Sequence, residues 1–373
     1  MLTLSPKAPF LYKPQNRNPK IQHYKPQING IYCKSELQSE RGLEFETGET
    51  FFRHESAKGR DLGVLAASLY NQSKGKLRVL DAMCGCGIRS LRYLMEAKAD
   101  FVLANDANDE HRRVILDNLK RVDRGFGDER KWVVTHLDAN RVLSECYLQK
   151  EFFDLIDIDS FGSDISLFLR SAMNTISFDG LLYVTSTDGH SSGGHHPDQV
   201  MLRVNRGKLL ENRHYGFITY CNNCGNSQEF SWAELGQISC SCSGSHGSRS
   251  LVISGPLWTG PLHSAAYISK MINLAEEWGW IGNGAETDLE KLLKQMLDES
   301  DPRLKSGYIK MDEVASRAKI NSPPLRTMMS AMQKEGYATS RSHIASNAIK
   351  TDCPMSVCIR ISKELQRVDS FSV

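Results

Sequence analysis

No stretch of the sequence is long and apolar enough to resemble a membrane-spanning helix. Crossing a bilayer takes about 20 consecutive, mostly apolar residues, and no run in this chain comes close to that length. We therefore expect no membrane partner. The 373 residues are 40% hydrophobic and 24% charged, proportions that are typical of globular proteins. The chain is long enough for two or three domains.

The chain has little net charge, and its first 35 residues have no acidic side chain. The formal charge is +2, so a nucleic-acid partner would have to be held by local basic patches. Residues 1–35 contain six Lys or Arg and no Asp or Glu. An organelle transit peptide is acid-poor in this way, and a disordered basic arm is the alternative for residues 1–40. The first interpretation predicts a chloroplast or mitochondrial protein, and the second leaves the nucleus or the cytoplasm.

The ten cysteines are not spread along the chain as a disulfide framework. Four of them form two close pairs: Cys221, Cys224, Cys240 and Cys242. Two close pairs separated by a short loop indicate a reducing compartment and a tetrahedral thiolate zinc ribbon at 221–242. The second pair has the spacing C-x-C where C-x2-C is usual, so His246 is an alternative to Cys242 as the fourth ligand.

Strand and helix patterns alternate from residue 77 to residue 189. Five apolar strands are separated by helices or turns, for example in "LRVLDAMCGCGIRSLRYLMEA" (77–97). This alternation predicts an α/β domain at 41–205 with a Rossmann-like parallel sheet and right-handed crossovers. Ligands bind beyond the carboxyl ends of the strands in such sheets. A hairpin with its turn at Thr47-Gly48 is expected in 43–54, before the sheet.

After Gly189 the pattern changes, and residues 206–373 are predicted to form a second, α+β domain. Besides the cysteine pairs, it has helix, turn, helix and hairpin signals in 305–360 that are typical of a winged helix. The basic and aromatic side chains on or near that segment are Arg326, Lys334, Tyr337, Arg341, His343 and Lys350. Contacts with nucleic-acid phosphates would explain them, and isolated surface charges are the alternative.

The motif "DAMCGCG" closes the first strand of the predicted sheet. Gly85 and Gly87 permit a sharp turn and a close approach of the backbone to a ligand. Asp106 lies 19 residues beyond Gly87, at the tip of the second strand, where a carboxylate can accept hydrogen bonds from both ribose hydroxyls. At the tip of the third strand, Asp138 with the Ala139 backbone suits an adenine amino group or, alternatively, a helix N-cap. These features fit NAD and S-adenosylmethionine alike.

The fourth strand, "DLIDIDSFGSD" (154–164), ends in acidic and aromatic residues. Hydride transfer does not need such a tip, but methylation of an exocyclic amino group does. The lone pair of guanine N2 is delocalised, and a carboxylate that accepts the N–H directs this lone pair and helps to remove the proton. An aromatic face stacks with a base that has left its helix. Asp159 and Phe161 suit these roles, with room left at Gly162, while Asp157 suits either the same site or a structural role.

Several motifs occur together in one order along the chain: "FRHESAKGRDL" (52–62), "GCGIRSLRY" (85–93), "NDAN" (105–108), "HLDAN" (136–140) and "DSFG" (159–162). They resemble the F-x7-[NG]-R-D-L, S/C-G-x-R, N-D-[IA], D-A-N and D-P-[FY]-G motifs of the tRNA (guanine-N2)-dimethyltransferases. That family consists of class I S-adenosylmethionine-dependent methyltransferases. "GPLWTGPL" (255–262) and "IKTDCP" (349–354) resemble downstream family segments, so the resemblance covers most of 43–360.

The resemblance implies transfer of one and then a second methyl group from S-adenosylmethionine to N2 of guanosine 26 in tRNA. The partner would be tRNA, a structural Zn²⁺ would be bound, and no oligomeric state is indicated. The residues implied to act on the base are Asp159, Phe161 and Phe52. The residues implied to contact the cofactor are Arg60, Asp81, Gly85, Gly87, Arg89, Asp106, Asp138 and Ala139. The implied metal ligands are Cys221, Cys224, Cys240 and Cys242.

Two features depart from the family pattern. Ser160 replaces the signature proline after Asp159, and only "GHSSGGHHPDQ" joins Asp188 to Val200, where the family has several tens of residues. A parallel crossover takes at least about 10–12 residues, normally with a helix, so we expect strand 200–205 to pair antiparallel or to attach differently. We interpret the chain as a shortened family member. A tRNA-binding protein with weak or no catalysis is one alternative, and an NAD-dependent oxidoreductase is a less favoured one.

Overall fold

The computed structural model describes residues 37–126, 129–160, 166–186, 198–204, 214–240, 242 and 250–370. Among the helices in these ranges, none combines the length and the apolar character that a membrane crossing requires. Most of the predicted basic arm, residues 1–36, lies outside the described residues. The predicted localisation therefore stays a prediction.

A two-stranded hairpin precedes the main sheet. Its strands are β1 (Leu37–Glu40) and β2 (Leu43–Glu46), which pair antiparallel. The turn lies at Arg41-Gly42, whose φ angles of 48° and 79° are both positive, as a type I′ hairpin turn requires. The predicted turn at Thr47-Gly48 was therefore wrong. The sequence signal failed because β1 is short and mostly polar, without the alternation that marks a strand.

Six strands form the central sheet: β3 (Arg78–Asp81), β4 (Phe101–Asn105), β5 (Trp132–Thr135), β6 (Phe153–Ser160), β7 (Ile176–Ser186) and β8 (Asp198–Arg203). Their order is β5-β4-β3-β6-β7-β8. The pairs from β5 to β7 are parallel, and β8 pairs antiparallel with β7. The predicted α/β sheet is confirmed, and so is the antiparallel attachment that was one of the two expectations for strand 200–205.

Helices cover both faces of the sheet: α1 (Ala57–Lys74), α2 (Ile88–Met95), α3 (Arg112–Leu119), α4 (Ala139–Leu148) and α5 (Ser166–Thr175). Successive strand side chains point to opposite faces. On β6, Leu155 enters a core shared with α1, α2 and α3, and the next residue, Ile156, enters a core shared with α4 and α5. Because both faces are covered, the polar strand tips are concentrated at the carboxyl edge of the sheet.

The second half of the chain begins with a three-stranded antiparallel sheet and continues with two helices. The strands are β9 (Tyr215–Cys221), β10 (Ser227–Ser231) and β11 (Leu251–Trp258), in the order β10-β9-β11. The helices are α6 (Ala265–Glu277) and α7 (Asp288–Asp298). Leu274 and Leu293 of these helices belong to the same core as α1. This part of the second half therefore packs on the methyltransferase-like half, while the boundary between residues 205 and 206 stays a prediction.

The C-terminal elements enclose a core of their own. They are β12 (Ile309–Lys310), α8 (Met311–Ala318), α9 (Leu325–Lys334), β13 (Thr339–Arg341), β14 (Ala348–Thr351) and α10 (Met355–Ser370). The three strands pair in the order β12-β14-β13, and the residues that follow α9 form a hairpin. This succession agrees with the winged-helix pattern that the sequence indicates for 305–360.

Replacing Leu293 with alanine should destabilise the whole chain, because α7 shares the first core. Leu293 is fully buried, and a buried Leu→Ala change costs about 2–5 kcal/mol. Leu262→Ala is the matched control, because Leu262 is 42% exposed and should cost less than about 0.5 kcal/mol. Urea unfolding followed by circular dichroism gives both values. Equal midpoints for the two variants would show that α7 does not support this core.

Candidate active site

The turn between β3 and α2 leaves open space above the sheet. Gly85 and Gly87 have φ angles of 57° and 86°, a left-handed conformation that other residues rarely adopt. A Cβ atom on Gly85 would meet nothing within 4 Å, whereas one on Gly87 would lie 3.4 Å from the side chain of Ile115. A ligand can therefore approach the backbone closely at Gly85.

Asp106 follows β4 and lies against this turn. Its carboxylate accepts hydrogen bonds from the backbone N–H of Gly85 and of Asn108, both at 3.0 Å, and lies 3.0 Å from Nδ1 of His111. Burial opposes its ionisation, but the hydrogen bonds from His111 and from the Asn108 backbone outweigh burial and lower the pKa of Asp106. The site thus holds a charged acceptor beside the open glycine turn.

Asp138 serves as the N-cap of α4. Its Oδ1 accepts from the backbone N–H groups of Asn140 and Arg141, at 3.0 and 3.3 Å. Ala139 is the first residue of the helix and is buried. The structure therefore shows the capping role that the sequence left open, and contact with an adenine amino group stays a prediction for Asp138 and the Ala139 backbone.

Two aspartates of β6 contact a single arginine, and Asp81 of the neighbouring strand β3 lies beside them. Asp81 and Asp157 are fully buried, and the side chain of Asp159 is 35% exposed. Arg89 of α2 places Nη1 3.2 Å from Oδ2 of Asp157 and Nη2 2.8 Å from Oδ2 of Asp159. Burial raises the pKa of Asp157, and burial together with the nearby Asp157 carboxylate raises the pKa of Asp81. The predicted site residues Asp81, Arg89 and Asp159 are thus brought together.

Two oxygens of this cluster are buried without a hydrogen-bond partner among the described residues. Oδ2 of Asp81 accepts from Ser90 Oγ at 2.7 Å, and Oδ2 of Asp157 accepts from Tyr93 OH at 2.5 Å. The Oδ1 atoms of Asp81 and Asp157 are buried and unpaired. Leaving such oxygens unsatisfied costs free energy. A ligand with an ammonium group would supply both the missing donors and the missing positive charge.

Arg60 and Phe52 lie together on the hairpin side of the first core. Arg60 is buried, forms an ion pair with Glu40 and donates to the carbonyl of Arg53 at 2.9 Å. Its guanidinium lies 4.8 Å from the centre of the Phe52 ring, which in turn packs on Phe45 at 5.3 Å. These contacts explain both residues structurally, and their predicted contacts with cofactor and base stay predictions.

The "DSFG" motif (159–162) at the end of β6 lies only partly within the described residues. Ser160, which replaces the family proline, is the last residue of β6, and its hydroxyl donates to the carbonyl of Thr185 at 3.4 Å. The Ser160 hydroxyl thus connects the end of β6 to β7, and its expected effect on the precision of the strand tip stays a prediction. Phe161, predicted to stack on the base, lies outside the described residues.

Tyr93 and Tyr183 belong to the site and were missed by sequence reasoning. Tyr93 lies one helical turn after Arg89, so both face the Asp157 carboxylate; this spacing was the available signal. Tyr183 OH donates to the carbonyl of Gly59 at 2.7 Å, and the Arg89 guanidinium lies 5.4 Å from the centre of its ring. Nothing in the local sequence distinguishes Tyr183 from an ordinary core residue.

The four predicted metal ligands form a second cluster, at the end of the β9–β10–β11 sheet. All their sulfurs lie within 4.8 Å of one another, with 3.5 Å for Cys221–Cys242 and 3.4 Å for both Cys224–Cys240 and Cys240–Cys242. Metal–sulfur bonds of about 2.3 Å in a tetrahedron require about 3.8 Å between sulfurs. The cluster is therefore suited to a metal ion with Cys242 as the fourth ligand. The alternative, His246, lies outside the described residues.

The geometry at the carboxyl edge defines the class of protein. An open, mostly parallel α/β sheet, a left-handed glycine turn and acidic tips on β3, β4 and β6 are features of Rossmann-like proteins that bind a nucleotide cofactor, a class that includes the class I methyltransferases. Comparison with known families then identifies the group within that class. The model of the N2,N2-dimethylguanosine tRNA methyltransferase family matches residues 34–213 and 200–363, and the chain belongs to this family.

Individual relatives agree with this assignment. The chain is 26% identical to the tRNA (guanine(26)-N(2))-dimethyltransferase of Pyrococcus abyssi, over 88% of this chain and 96% of the relative. It is also 26% identical to the tRNA (guanine(26)-N(2))-dimethyltransferase of Schizosaccharomyces pombe, over 92% of this chain and 72% of the relative. The solved structure of Trm1 from Pyrococcus horikoshii with S-adenosyl-L-methionine superposes with a TM-score of 0.67 at 22% identity, over 88% of this chain and 96% of that one. The last comparison shows a shared fold.

The alignments also indicate that residues are missing within this chain. The alignment with the Pyrococcus abyssi enzyme extends over 380 positions, but 88% of 373 residues is only about 328. About 50 positions of the alignment therefore have no counterpart here. The family model also matches in two stretches that overlap at 200–213. Both observations support an internal deletion, and its placement directly after Asp188 stays a prediction.

Replacing Arg89 with methionine should destabilise the fold strongly. Asp157 would remain buried without a cation, and breaking a buried ion pair in this way costs about 3–5 kcal/mol. Arg113→Met is the control, because the Arg113 side chain is 94% exposed and its ion pair contributes less than about 1 kcal/mol. Urea unfolding at several pH values is the measurement. The loss should shrink as the pH falls, because a protonated Asp157 needs no cation; a loss that does not depend on pH would contradict this explanation.

Proposed function

We propose that this chain carries out the reaction of its family, guanine-N2 methylation of tRNA position 26, at the carboxyl edge of the central sheet. The observation that carries the proposal is the Asp159 carboxylate. It is partly exposed at the tip of β6, is paired with Arg89, and lies on the same carboxyl edge of the sheet as the open turn at Gly85. One and then a second methyl group would be transferred.

The residues around the turn fit S-adenosylmethionine, the ligand of the solved Pyrococcus horikoshii structure. The Gly85 backbone would lie against the cofactor, and Asp106 would accept hydrogen bonds from the ribose hydroxyls. The unpaired oxygens of Asp81 and Asp157 suit the ammonium of the methionine moiety. Asp138 would reach the adenine amino group with its second carboxylate oxygen. Arg89 would hold the carboxylates of Asp157 and Asp159 in place as the cofactor binds.

Asp159 would act directly on the guanine. When bound, S-adenosylmethionine supplies an electrophilic methyl group. The Asp159 carboxylate would accept an N2–H of the base, which directs the nitrogen lone pair. It would take up the proton as the C–N bond forms and the methyl–sulfur bond breaks, with S-adenosylhomocysteine as the leaving group. The base would first leave its stack. Phe52 and Phe161 would hold it by aromatic stacking, and no covalent intermediate with the chain is required.

The rest of the chain would bind the body of the tRNA. Cys221, Cys224, Cys240 and Cys242 would hold a structural Zn²⁺, which fixes the loops of the β9–β10–β11 sheet. The winged-helix-like elements from β12 to β14 would contact phosphates through the exposed side chains of Arg326, Lys334 and Arg341. Lys350 is buried against Glu299, so its predicted contact with a phosphate was wrong. We also propose import into a chloroplast or mitochondrion, on the basis of the acid-poor residues 1–35.

A tRNA-binding protein without turnover is the second candidate function. The alignment gap of about 50 positions favours it. So does the exposure of Val200 and Leu202 on β8, which are 48% and 45% exposed, because large apolar side chains on an edge strand normally have a cover. Such a protein would bind tRNA and cofactor without forming a closed pocket for the base.

Asp159→Asn should abolish most of the activity and leave cofactor binding almost unchanged. Loss of a general base lowers kcat by about 10²–10⁴-fold. Asp288→Asn is the control, since the Asp288 side chain is 85% exposed. The measurement is nucleoside mass spectrometry of an unmodified tRNA transcript incubated with each protein and S-adenosylmethionine. No methylated guanosine with the wild-type chain, although the cofactor binds, would reject the enzyme and support the second candidate.

Asp106→Ala should weaken the binding of S-adenosylmethionine. Hydrogen bonds to a charged group contribute about 1.5–3 kcal/mol, so the dissociation constant should rise by about 10- to 100-fold. Asp109→Ala is the control, because Asp109 is exposed and lies only three residues further along the chain. Isothermal titration calorimetry measures the dissociation constant of S-adenosylmethionine for both variants. If the two variants bind the cofactor equally well, Asp106 does not contact the ribose hydroxyls, and its role is limited to stabilising the Gly85 turn.

A further inference from the structure

A second set of metal-ligating side chains lies outside both the active site and the cysteine cluster. His263 comes from the loop between β11 and α6, Glu299 directly follows α7, and His343 follows β13. One ligand atom from each lies within 4.8 Å of the other two. Two imidazoles and one carboxylate are a ligand set that zinc sites use. Three segments that are distant in sequence therefore converge on one point with suitable chemistry.

The distances in this cluster fit one ion. Oε2 of Glu299 lies 2.8 Å from Nδ1 of His343 and 3.6 Å from Nε2 of His263. Metal bonds of about 2.0–2.2 Å in a tetrahedron separate N and O ligand atoms by roughly 3.3–3.6 Å. The two imidazole rings are 4.9 Å apart, at an angle of 63°. The Glu299–His343 pair would have to open by about 0.5–0.8 Å for both residues to bind one ion at these distances.

Hydrogen bonding alone leaves one atom of the cluster unexplained. Glu299 is satisfied, because its carboxylate accepts from the His343 backbone N–H and contacts the His343 ring. Nε2 of His263 is buried and has no hydrogen-bond partner among the described residues, and 3.6 Å is too long for a hydrogen bond. The His263 side chain is only 11% exposed. A metal ion between these groups would give this nitrogen the partner that it lacks.

One neighbouring charge opposes a metal ion. Nζ of Lys350, on β14, lies 3.7 Å from Oε2 of Glu299, and its side chain is 4% exposed. An ammonium at this distance competes with a divalent cation for the same carboxylate. Metal binding would therefore be weaker than in a site without the lysine, and removing the lysine charge should strengthen it. A variant that removes the Lys350 charge therefore tests whether a metal ion binds at Glu299.

We propose that His263, Glu299 and His343 bind a divalent transition-metal ion such as Zn²⁺. The site joins α7, which packs on the first core, to the β13–β14 hairpin. The ion would be structural, because it lies apart from the residues proposed to act on the base. The proposal does not depend on the methyltransferase reaction.

The test is metal analysis of the full-length chain after reconstitution with Co²⁺ under reducing conditions. The wild type should bind two ions per chain, one at the cysteines and one at the histidines. Cobalt bound to thiolates gives charge-transfer absorption in the near ultraviolet, whereas cobalt bound to imidazole and carboxylate gives only weak visible bands. His343→Ala should lose one ion and keep the charge-transfer band, and the double variant Cys221→Ser/Cys224→Ser should lose the band and keep one ion.

Two further variants keep the proposal falsifiable if His343→Ala fails to fold. Glu299→Gln conserves shape and hydrogen bonding but should lower the affinity of the second ion at least 10-fold. Lys350→Gln should raise that affinity several-fold. One ion per wild-type chain, accompanied by the thiolate band, would overturn the proposal. So would a second ion whose affinity is unchanged in Glu299→Gln.

Discussion

Two buried arginines on α2 determine how the first half of this molecule is held together. Arg89 and Arg92 lie almost one turn apart and are 4% and 0% exposed. Removing a guanidinium from water costs several kcal/mol unless anions surround it, so each arginine requires carboxylates at fixed positions. Arg92 meets Glu40, Asp61 and Glu96 at 3.3, 2.7 and 2.6 Å. Arg89 meets the two aspartates at the end of β6. Helix α2, which starts at the glycine turn, therefore fixes the position of the β1–β2 hairpin. It also fixes the tip of β6, which carries Asp159, the proposed general base.

This constraint also links the active edge to the second half of the chain. Asp61 on α1, which accepts from Arg92, is also paired with Arg41 in the hairpin turn, at 2.6 Å. The guanidinium of Arg92 lies 5.2 Å from the ring centre of Trp280, and that of Arg41 lies 4.8 Å from it. Trp280 belongs to the connection between α6 and α7 and completes the first core. Ion pairs and apolar contacts thus join the hairpin, α1, α2 and the α6–α7 pair into one unit. The glycine turn at the start of α2 is therefore held by contacts with the hairpin side and with the second half of the chain.

The sequence predicts those parts that depend on periodicity and on local turns. The sheet was predictable because its strands are apolar and separated by helices, and the Gly85 turn because only glycine readily adopts its conformation. Sequence does not reveal which distant charge pairs with which. Arg60 was expected at the cofactor, but the structure gives it Glu40, which lies in a strand too short and polar to be predicted. The contact of His263 was equally invisible, because its partner lies 36 residues away in sequence, and for Tyr93, whose partner lies 64 residues away, only the spacing from Arg89 gave a signal.

The central sheet is formed as far as β8 although the alignments indicate missing residues, and this limits what those residues can contribute. β8 pairs with β7 from Leu181 to Ser186, so β7 is not an exposed edge. Arg203 anchors the end of β8 through Asp179, which also pairs with Lys74 at 2.7 Å. The hydrogen bonds from Arg203 and Lys74 lower the pKa of Asp179 to about 2. The carboxylates of the active edge come from β3, the end of β4 and β6, and their geometry does not require the missing segment. We therefore expect the absence of that segment to have little effect on the carboxylates at the cofactor edge of the sheet.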